Sequence, residues 1–412
     1  MHLGVLRNLI SLRREQWADI ETIQASQSAR LRTILGAAAA TEYYENIPPS
    51  AELEELEPTP KMDFRRNRES FLHPDFKGKK LRTVSTSGSS GIPIRVSMDS
   101  ASNEYRKALL LHIQLEQGIL PPSLTVRVES APDVRPPQVV SSGLIYRTLL
   151  LHSSMSEKDM LKEIQARKAD YMCVYPSIAY SLAKENRNYG VKVKSFVCGG
   201  EVLSEETRKI VSESFSCPVF NKYSCWESGP IAWECPEEHS LHVDAATILE
   251  IVDPKGRPVK SGMGRVLLTS LHNRAMPLIR YELGDYASWG EQCACGRGLP
   301  VLKEVHGRTT EFITLPSGKN RPALSMNVHR IEGVLEGTLH HQLVQKEPGL
   351  FVFKYVPFGP GLDSKTEKQV RAKILAACEG EDVSLEFEVV DKIHRDKSGK
   401  LKRVLSLVKS DV

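Results

Sequence analysis

The middle of the chain alternates between short apolar runs and amphipathic segments, and this alternation restricts the possible folds more than any other feature. The apolar runs at 171–175 and 193–198 predict strands, whereas the segments at 156–168, 176–186 and after Ser204 have the spacing of helices. Strands that alternate with helices in this way favour a mainly parallel sheet with helices packed on its faces. We therefore predict an α/β fold.

The segments on either side extend this core into more than one domain, because 412 residues are too many for a single hydrophobic core. We expect a large N-terminal domain of residues 1–308, with a β-rich part at about 230–305, and a small mobile α+β C-terminal domain of residues 309–412. Further elements are predicted as helices at about 5–41 and 103–117, a hairpin of 247–252 with 264–270, strands at 351–356 and 383–390, and a helix at 364–378.

Composition and charge exclude several classes of protein. Hydrophobic residues make up 41% of the chain and charged residues 26%, as in globular proteins, and a net charge of +4 gives no reason to expect nucleic acid or a membrane as a partner. We find no apolar run of about 18 residues and no signal-peptide pattern. The eight cysteines are therefore expected to be thiols or metal ligands, and the cytoplasm is the expected location.

A run of small residues lies between two predicted strands, at about 81–84 and 94–98. Its backbone N–H groups and hydroxyls favour a turn that cradles an anion such as phosphate. A P-loop NTPase would need a lysine after the last glycine, and this chain has none there. A flexible surface linker is the alternative interpretation. The residues of this turn are Thr86, Ser87, Gly88, Ser89, Ser90 and Gly91.

Four further stretches follow in order along the chain. In the first, Tyr223 precedes Glu227 by four positions, which pairs an aromatic ring that can stack on a base with a carboxylate that can hold Mg²⁺. Asp285 then follows a glycine-containing turn and could accept both hydroxyls of a ribose. Arg308 offers a cation near a sugar or phosphate. Lys400 lies in a basic segment near the C-terminus, where a solvated tail is the alternative.

The order and spacing of these five stretches resemble the adenylate-forming superfamily of acyl-CoA synthetases, peptide-synthetase adenylation domains and luciferases. Within it, the short helical N-terminal region and a cysteine-bearing insert resemble the phenylacetate–CoA ligase-like branch, which includes proteins of the CapK type. This resemblance implies that the large domain binds ATP and a small-molecule carboxylic acid. It also implies that the small domain swings between two poses, one for each half-reaction.

The resemblance also implies roles for individual residues. Glu227 would ligate Mg²⁺, and Lys400 would reach the carboxylate and the α-phosphate to stabilise the charge that builds there. The implied nucleotide contacts are Thr86, Ser87, Gly88, Ser89, Ser90 and Gly91 at the β- and γ-phosphates, Gly200, Glu201 and the stacking Tyr223 at the adenine, and Asp285 with Arg308 at the ribose.

The chain departs from the family pattern at three positions. Ile92 stands where the loop usually has threonine. Ser224 and Trp226 replace the glycine and threonine that usually lie between the aromatic residue and the glutamate. The lost threonine hydroxyl puts one phosphate contact in doubt.

A second group of residues has the composition of a metal site. Cys293 and Cys295 form a tight turn with two thiols, and Cys235 adds a third. The spacing from Cys235 offers either His239 or His242 as the nitrogen ligand, and we favour His242 because it begins an apolar strand. Three sulfurs and one nitrogen suit tetrahedral Zn²⁺. We predict a structural zinc, with unligated thiols as the alternative.

The acceptor of the activated acid is not readable from the sequence. The favoured activity is an AMP-forming acid–thiol ligase whose acceptor is CoA or a phosphopantetheine carrier protein. A ligase with an amine acceptor that forms an amide is the alternative, and a non-catalytic nucleotide-binding relative is a third. The joint presence of Glu227, Asp285 and Lys400 argues against the third. The acid and the oligomeric state, with a dimer among the options, are left open.

Overall fold

The structure is a computed structural model that describes residues 3–85, 93–130, 137–142, 146–308, 312–326, 328, 331, 335, 337–396 and 398–408. Contacts divide the chain into two compact units. Unit 1 consists of Met1–Pro121 and Phe220–His306, and unit 2 of Pro122–Val219 and Gly307–Val412. The predicted α/β fold is confirmed, whereas the division into domains 1–308 and 309–412 stays a prediction.

Helices and strands alternate along much of the chain. The described α-helices are α1 (Leu3–Glu15), α2 (Ile20–Ala39), α3 (Lys61–Arg66), α4 (Ser100–Glu116), α5 (Glu157–Ala166), α6 (Pro176–Asn186), α7 (Glu205–Phe215) and α8 (Ser364–Ala377). The described strands are β1 (Arg82–Ser85), β2 (Arg95–Met98), β3 (Ser123–Glu129), β4 (Gln138–Ser142), β5 (Tyr146–His152), β6 (Tyr171–Val174), β7 (Ser195–Gly199), β8 (Val219–Cys225), β9 (Gly229–Glu234), β10 (Leu241–Val243), β11 (Thr247–Val252), β12 (Met263–Ser270), β13 (Tyr281–Trp289), β14 (Val301–Arg308), β15 (Phe312–Thr314), β16 (Asn320–Pro322), β17 (Thr338–Glu347), β18 (Leu350–Pro357), β19 (Ser384–Val389) and β20 (Val404–Ser406).

The helical region predicted at about 5–41 is confirmed, and it consists of two separate helices, α1 and α2. Asp19 interrupts the run as the N-cap of α2, where its Oδ1 accepts a hydrogen bond from the Thr22 N–H at 2.7 Å. An aspartate in this position satisfies one of the unpaired N–H groups at a helix start. The Arg297 guanidinium lies 4.3 Å from the Trp17 ring centroid and packs on the turn between the two helices.

The strands of unit 1 follow the order β11-β12-β13-β14-β10-β9-β8, and β1 pairs with β2 as a separate antiparallel hairpin. The predicted hairpin of 247–252 with 264–270 is confirmed, because β11 and β12 pair antiparallel with Thr247 opposite Ser270. The apolar core under these strands includes Ile231, Leu268 and Tyr281, each at most 1% exposed. Within unit 1, the strands from β8 to β14 lie between residues 219 and 308, where the sequence indicates a β-rich part.

The first half of unit 2 has the parallel sheet that the helix–strand alternation predicts. The order is β7-β6-β3-β5-β4, in which the pairs β7–β6, β6–β3 and β3–β5 are parallel and β4 is an antiparallel edge. Ser156 and Ser204 cap α5 and α7 by accepting hydrogen bonds from the N–H groups of Asp159 and Thr207. The predicted helix starts in this region are therefore confirmed.

The second half of unit 2 is an α+β layer. Its sheet follows the order β19-β18-β17-β20, and β15 pairs with β16 beside it. Phe351 and Phe353 on β18 pack with Val370 and Ile374 on α8, and all four are fully buried. The apolar side chains at alternate strand positions and at helical spacing in α8 meet in this core, and the predicted elements at 351–356, 364–378 and 383–390 are confirmed.

Within the described part of the chain, we find no helix that combines the length and the apolar composition needed to cross a bilayer.

Candidate functional site

Two hydrogen bonds join β8 and the turn after it to β13 within unit 1. The Tyr223 hydroxyl donates to Asp285 Oδ2 at 2.8 Å, and the Tyr281 hydroxyl donates to Glu227 Oε1 at 3.1 Å. In the strand order, β14, β10 and β9 lie between β13 and β8, so the sheet of unit 1 curves to bring these side chains into contact. Three residues that the sequence singles out, Tyr223, Glu227 and Asp285, therefore lie in one cluster.

A lysine that the sequence analysis missed neutralises the buried carboxylate of this cluster. Lys61 on α3 places its Nζ 3.0 Å from Glu227 Oε1 and donates a further hydrogen bond to the Leu283 carbonyl at 3.1 Å. Glu227 is only 4% exposed. Burial is the largest single influence and raises the pKa of this carboxyl, but the Lys61 charge and the hydrogen bonds from Lys61, Tyr281 and the Glu227 backbone together outweigh it, so the pKa lies below its usual value. Glu227 is therefore held ionised.

Tyr223 is held in its protonated form. Burial, followed by the Asp285 charge, raises the pKa of Tyr223 well above its usual value. Its hydroxyl is thus a permanent donor to the Asp285 carboxylate, which fixes the orientation of both groups. Tyr281 is the second residue that the sequence analysis missed, although it stands in the stretch that ends at Asp285.

In unit 2, Lys400 and Gly200 lie in contact. A Cβ atom on Gly200 would lie 3.3 Å from Lys400 Cε and 2.8 Å from Tyr175 Cε1, and Gly200 has a φ of +83°. Only glycine combines that backbone angle with so close an approach. The Lys400 Nζ lies 6.0 Å from the centroid of the Tyr175 ring. The predicted residues Gly200 and Lys400 are therefore brought together.

Glu201, the neighbour of Gly200, is engaged with protein donors. Its carboxylate accepts hydrogen bonds from the Ser177 N–H at 3.0 Å, the Ser177 hydroxyl at 3.1 Å and the Leu401 N–H at 2.7 Å. The role of Glu201 in lining the adenine site stays a prediction. The phosphate turn from Thr86 to Gly91 and the side chain of Arg308 lie outside the described residues.

The predicted metal ligands form one cluster within unit 1. One ligand atom from each of Cys235, His242, Cys293 and Cys295 lies within 4.8 Å of the others. The Cys295 Sγ and His242 Nε2 are 3.4 Å apart, close to the roughly 3.5 Å that separates sulfur and nitrogen ligands on a tetrahedral zinc. β10 pairs with both β9 and β14, which places His242 beside the cysteines.

The surroundings of this cluster suit thiolates. Arg297 is 3% exposed, and its Nη1 lies 3.8 Å from Cys235 Sγ. Its Nη2 also lies 2.7 Å from Glu116 Oε2. Three thiolates and one neutral imidazole give Zn²⁺ a net charge of −1, which a buried guanidinium can balance. The donor set therefore fits Zn²⁺.

His239, the alternative nitrogen ligand, is directed elsewhere. Its ring Nδ1 contacts Glu234 Oε1, its side chain is 59% exposed, and its backbone φ is +55°. The preference for His242 over His239 agrees with this geometry.

Comparison with known proteins finds phenylacetate-coenzyme A ligases and a protein named CapK. No family model matches the chain. A phenylacetate-coenzyme A ligase from Thermus thermophilus is 32% identical over 211 residues, which are 47% of this chain and 46% of that protein. The protein CapK from Staphylococcus aureus is 20% identical over 381 residues, which are 87% of this chain and 81% of that protein. The chain thus spans about half the length of the first relative.

Among solved structures, a 2-hydroxyisobutyryl-CoA ligase in the postadenylation state is similar with a TM-score of 0.74, at 17% identity. The match covers 96% of this chain and 91% of that one. At this identity the likeness establishes the fold, and the fold is that of an adenylate-forming CoA ligase. The predicted resemblance to the adenylate-forming superfamily, and within it to the phenylacetate–CoA ligase-like branch, is therefore confirmed.

Proposed function

We propose that this protein is an AMP-forming acid–thiol ligase. It activates a small-molecule carboxylic acid with ATP and then transfers the acyl group to the thiol of CoA or of a phosphopantetheine carrier. The proposal rests on two hydrogen bonds that involve residues of β13. Tyr223 donates to Asp285 at 2.8 Å, and Tyr281 donates to Glu227 at 3.1 Å. These contacts unite two motifs that are far apart in the sequence.

The nucleotide contacts follow the motifs that the sequence singles out. Asp285 accepts hydrogen bonds from the ribose hydroxyls with Arg308 nearby, the Tyr223 ring stacks on the adenine, and Gly200 lets the backbone approach the base. The turn of Thr86, Ser87, Gly88, Ser89, Ser90 and Gly91 donates to the β- and γ-phosphates. Support for the ribose assignment comes from the Asp285 carboxylate, which Tyr223 fixes in one orientation.

Magnesium would be held by Glu227, because carboxylate oxygens are ligands that this ion prefers. When bound, Mg²⁺ would neutralise charge on the transferring phosphates. Lys61 keeps the Glu227 carboxylate ionised before the nucleotide arrives, since its Nζ lies 3.0 Å from Oε1. Glu227 is thus ready to accept a cation without first losing a proton.

In the first half-reaction, an oxygen of the acid attacks the α-phosphorus and the bond to pyrophosphate breaks. The Lys400 ammonium lies between the carboxylate and the α-phosphate and stabilises the charge that develops on the phosphoryl oxygens. In the second half-reaction, the thiol loses its proton, its sulfur attacks the acyl carbonyl and AMP departs. Residues 309–412 move between two poses to serve the two steps.

The zinc that Cys235, His242, Cys293 and Cys295 would hold is structural. Four protein ligands close the coordination sphere of Zn²⁺, and a closed site has no position for a substrate. It joins β10 to the turn at 293–295 and so stabilises the folded state of unit 1.

Pyrophosphate release measured against a panel of carboxylic acids, with and without CoA, tests the proposed function. We expect release with ATP and one class of acid, and formation of a thioester only when the thiol is present. Amide formation with amine acceptors in place of a thioester would instead establish the alternative acceptor. No release with any acid would contradict the proposal.

A further inference from the structure

The Glu201 carboxylate links the start of a helix to the segment that carries Lys400. Its Oε2 accepts from the Ser177 N–H at 3.0 Å, and its Oε1 accepts from the Ser177 hydroxyl at 3.1 Å and the Leu401 N–H at 2.7 Å. Leu401 directly follows Lys400 in the chain. All of these residues lie in unit 2.

This carboxylate supplies the cap that α6 lacks. The N-cap residue of α6, Tyr175, makes no side-chain cap hydrogen bond, and the first turn contains no acidic residue. Unpaired N–H groups at a helix start favour an anion, and a carboxylate that accepts from them is stabilised by the helix dipole. The Glu201 carboxylate is therefore bound to the start of α6, and the same carboxylate binds the Leu401 N–H.

The segment before Leu401 is held by the same end of α6. The Tyr175 hydroxyl donates to the Ser398 carbonyl at 2.9 Å. Arg395 Nη1 donates to the Ser177 hydroxyl at 2.6 Å and to the Gly399 carbonyl at 3.2 Å. These contacts of Arg395, Ser398 and Gly399 converge on Tyr175 and Ser177 at the start of this helix.

The approach at Gly399 is too close for a larger residue. A Cβ atom there would lie 2.3 Å from Ser130 Oγ, and φ is +85°. This close packing lies next to Lys400, whose Cε would be 3.3 Å from a Cβ atom on Gly200. The Glu201 contact at 2.7 Å, like the bonds of Arg395, involves a charged group.

We propose that Glu201 is a positioning residue that holds Lys400 in the adenylating pose by binding the Leu401 N–H, rather than a residue that lines the adenine site. The inference rests on the proposed function, in which Lys400 acts only in the first half-reaction. Release of this bond frees the segment for the second half-reaction. Glu201 therefore favours one pose of the small domain over the other.

Two variants separate positioning from nucleotide binding. Glu201→Gln keeps the size of the side chain and removes the charge, and Ser177→Ala removes the hydroxyl shared by Glu201 and Arg395 while it keeps the helix N–H. Glu205→Gln is the matched control, because its side chain is 81% exposed and pairs with Arg208 instead. Hydrogen exchange of the peptide that contains Leu401, measured by mass spectrometry, reports the contact without any substrate.

In Glu201→Gln we expect exchange of that peptide to accelerate about ten-fold and pyrophosphate release to slow by about ten-fold, since bonds to charged acceptors contribute this much. Transfer from pre-made acyl-AMP to the acceptor and the Kd for ATP should match those of the unmodified protein. Ser177→Ala should also accelerate hydrogen exchange and slow pyrophosphate release, but by less than Glu201→Gln does. Glu205→Gln should change neither of these two rates.

Other outcomes overturn the inference. A weakened Kd for ATP with unchanged exchange would return Glu201 to the adenine site, and equal loss in both half-reactions would indicate a merely structural role. Unchanged exchange and unchanged pyrophosphate release would show that the bond between Glu201 and the Leu401 N–H does not position Lys400. If exchange accelerates but the unmodified protein releases no pyrophosphate with any acid, the contact stands and the proposed function fails.

Discussion

Tyr223 and Asp285 form a hydrogen bond of 2.8 Å in which the buried tyrosine hydroxyl donates to the carboxylate. The bond fixes the orientation of Asp285 on a strand that is separated from β8 by three others in the sheet order. A carboxylate fixed in this way can accept both hydroxyls of a ribose without losing conformational freedom on binding. Two substitutions test whether it does so.

Asp285→Ala should weaken ATP binding by about ten- to a hundred-fold, because hydrogen bonds to a charged acceptor contribute about 1.5–3 kcal/mol. Tyr223→Phe keeps the ring that stacks on the adenine and removes only the positioning bond, so it should weaken binding by about five-fold, or about 1 kcal/mol. Isothermal titration calorimetry with ATP measures both. Binding of ATP to Asp285→Ala with unchanged affinity would show that the ribose assignment is wrong.

Lys400→Ala should slow acyl-adenylate formation by about two to three orders of magnitude, because the ammonium stabilises charge that grows in the transition state. Reaction of pre-made acyl-AMP with the acceptor should be almost unchanged, since Lys400 takes no part in that step. Pyrophosphate release and AMP release measure the two half-reactions separately. An equal loss in both would argue against alternation between two poses, and no loss in either would make Lys400 a residue of a solvated tail.

Lys61→Met should raise the pKa of Glu227. Burial raises this pKa, and the charge and hydrogen bond of Lys61 are the largest influences that lower it, so their loss lets burial dominate. The carboxylate would then take up a proton at a higher pH, so adenylation should begin to fail at a higher pH as the medium is acidified. The pH profile of pyrophosphate release measures this shift. Lys61→Arg retains the charge and should retain the profile, and an identical profile for Lys61→Met would contradict the role of the ion pair.

The sequence predicts those parts of the fold that local patterns determine. The strands and helices from β6 to α7 follow from apolar periodicity, with Ser156 and Ser204 as recognisable caps. The sequence does not reveal the break between α1 and α2, because the apolar spacing continues across it. Trp17 and Arg297, which are in contact at this break, are far apart in the sequence, so no local pattern predicts their contact.

The same limit applies to the candidate site. Tyr223, Glu227 and Asp285 were found because the family motifs contain them. Lys61 was missed, since a lysine on a short helix resembles any solvated cation until folding brings it within 3.0 Å of Glu227. Long-range pairs of this kind depend on the curvature of the sheet, which no local pattern of residues specifies.

The purified protein should contain about one zinc per chain. Replacing Cys293 and Cys295 together by serine should abolish the metal and lower Tm by several degrees, because a metal that binds only the folded state stabilises it. Metal analysis by mass spectrometry and a thermal melt with and without chelator measure these effects. Cys173→Ser is the control, since Cys173 lies on β6 outside the cluster. Absence of zinc, or an unchanged melt after chelation, would contradict the prediction.

His272 should make the protein less stable in mild acid. Its ring is hydrogen-bonded by Ser102 Oγ at 3.1 Å, and burial, followed by the Arg106 charge, lowers its pKa to about 4. Between pH 6.5 and about 4 the unfolded chain therefore binds a proton that the folded chain does not, so the free energy of unfolding falls as pH falls, by up to about 1.4 kcal/mol per pH unit. Urea denaturation at pH 7.5, 6.0 and 5.0 should show a shallower decline for His272→Gln than for the unmodified protein. Ser102→Ala keeps the imidazole and should keep the steeper decline, whereas equal slopes in the His272 variant and the unmodified protein would contradict this assignment.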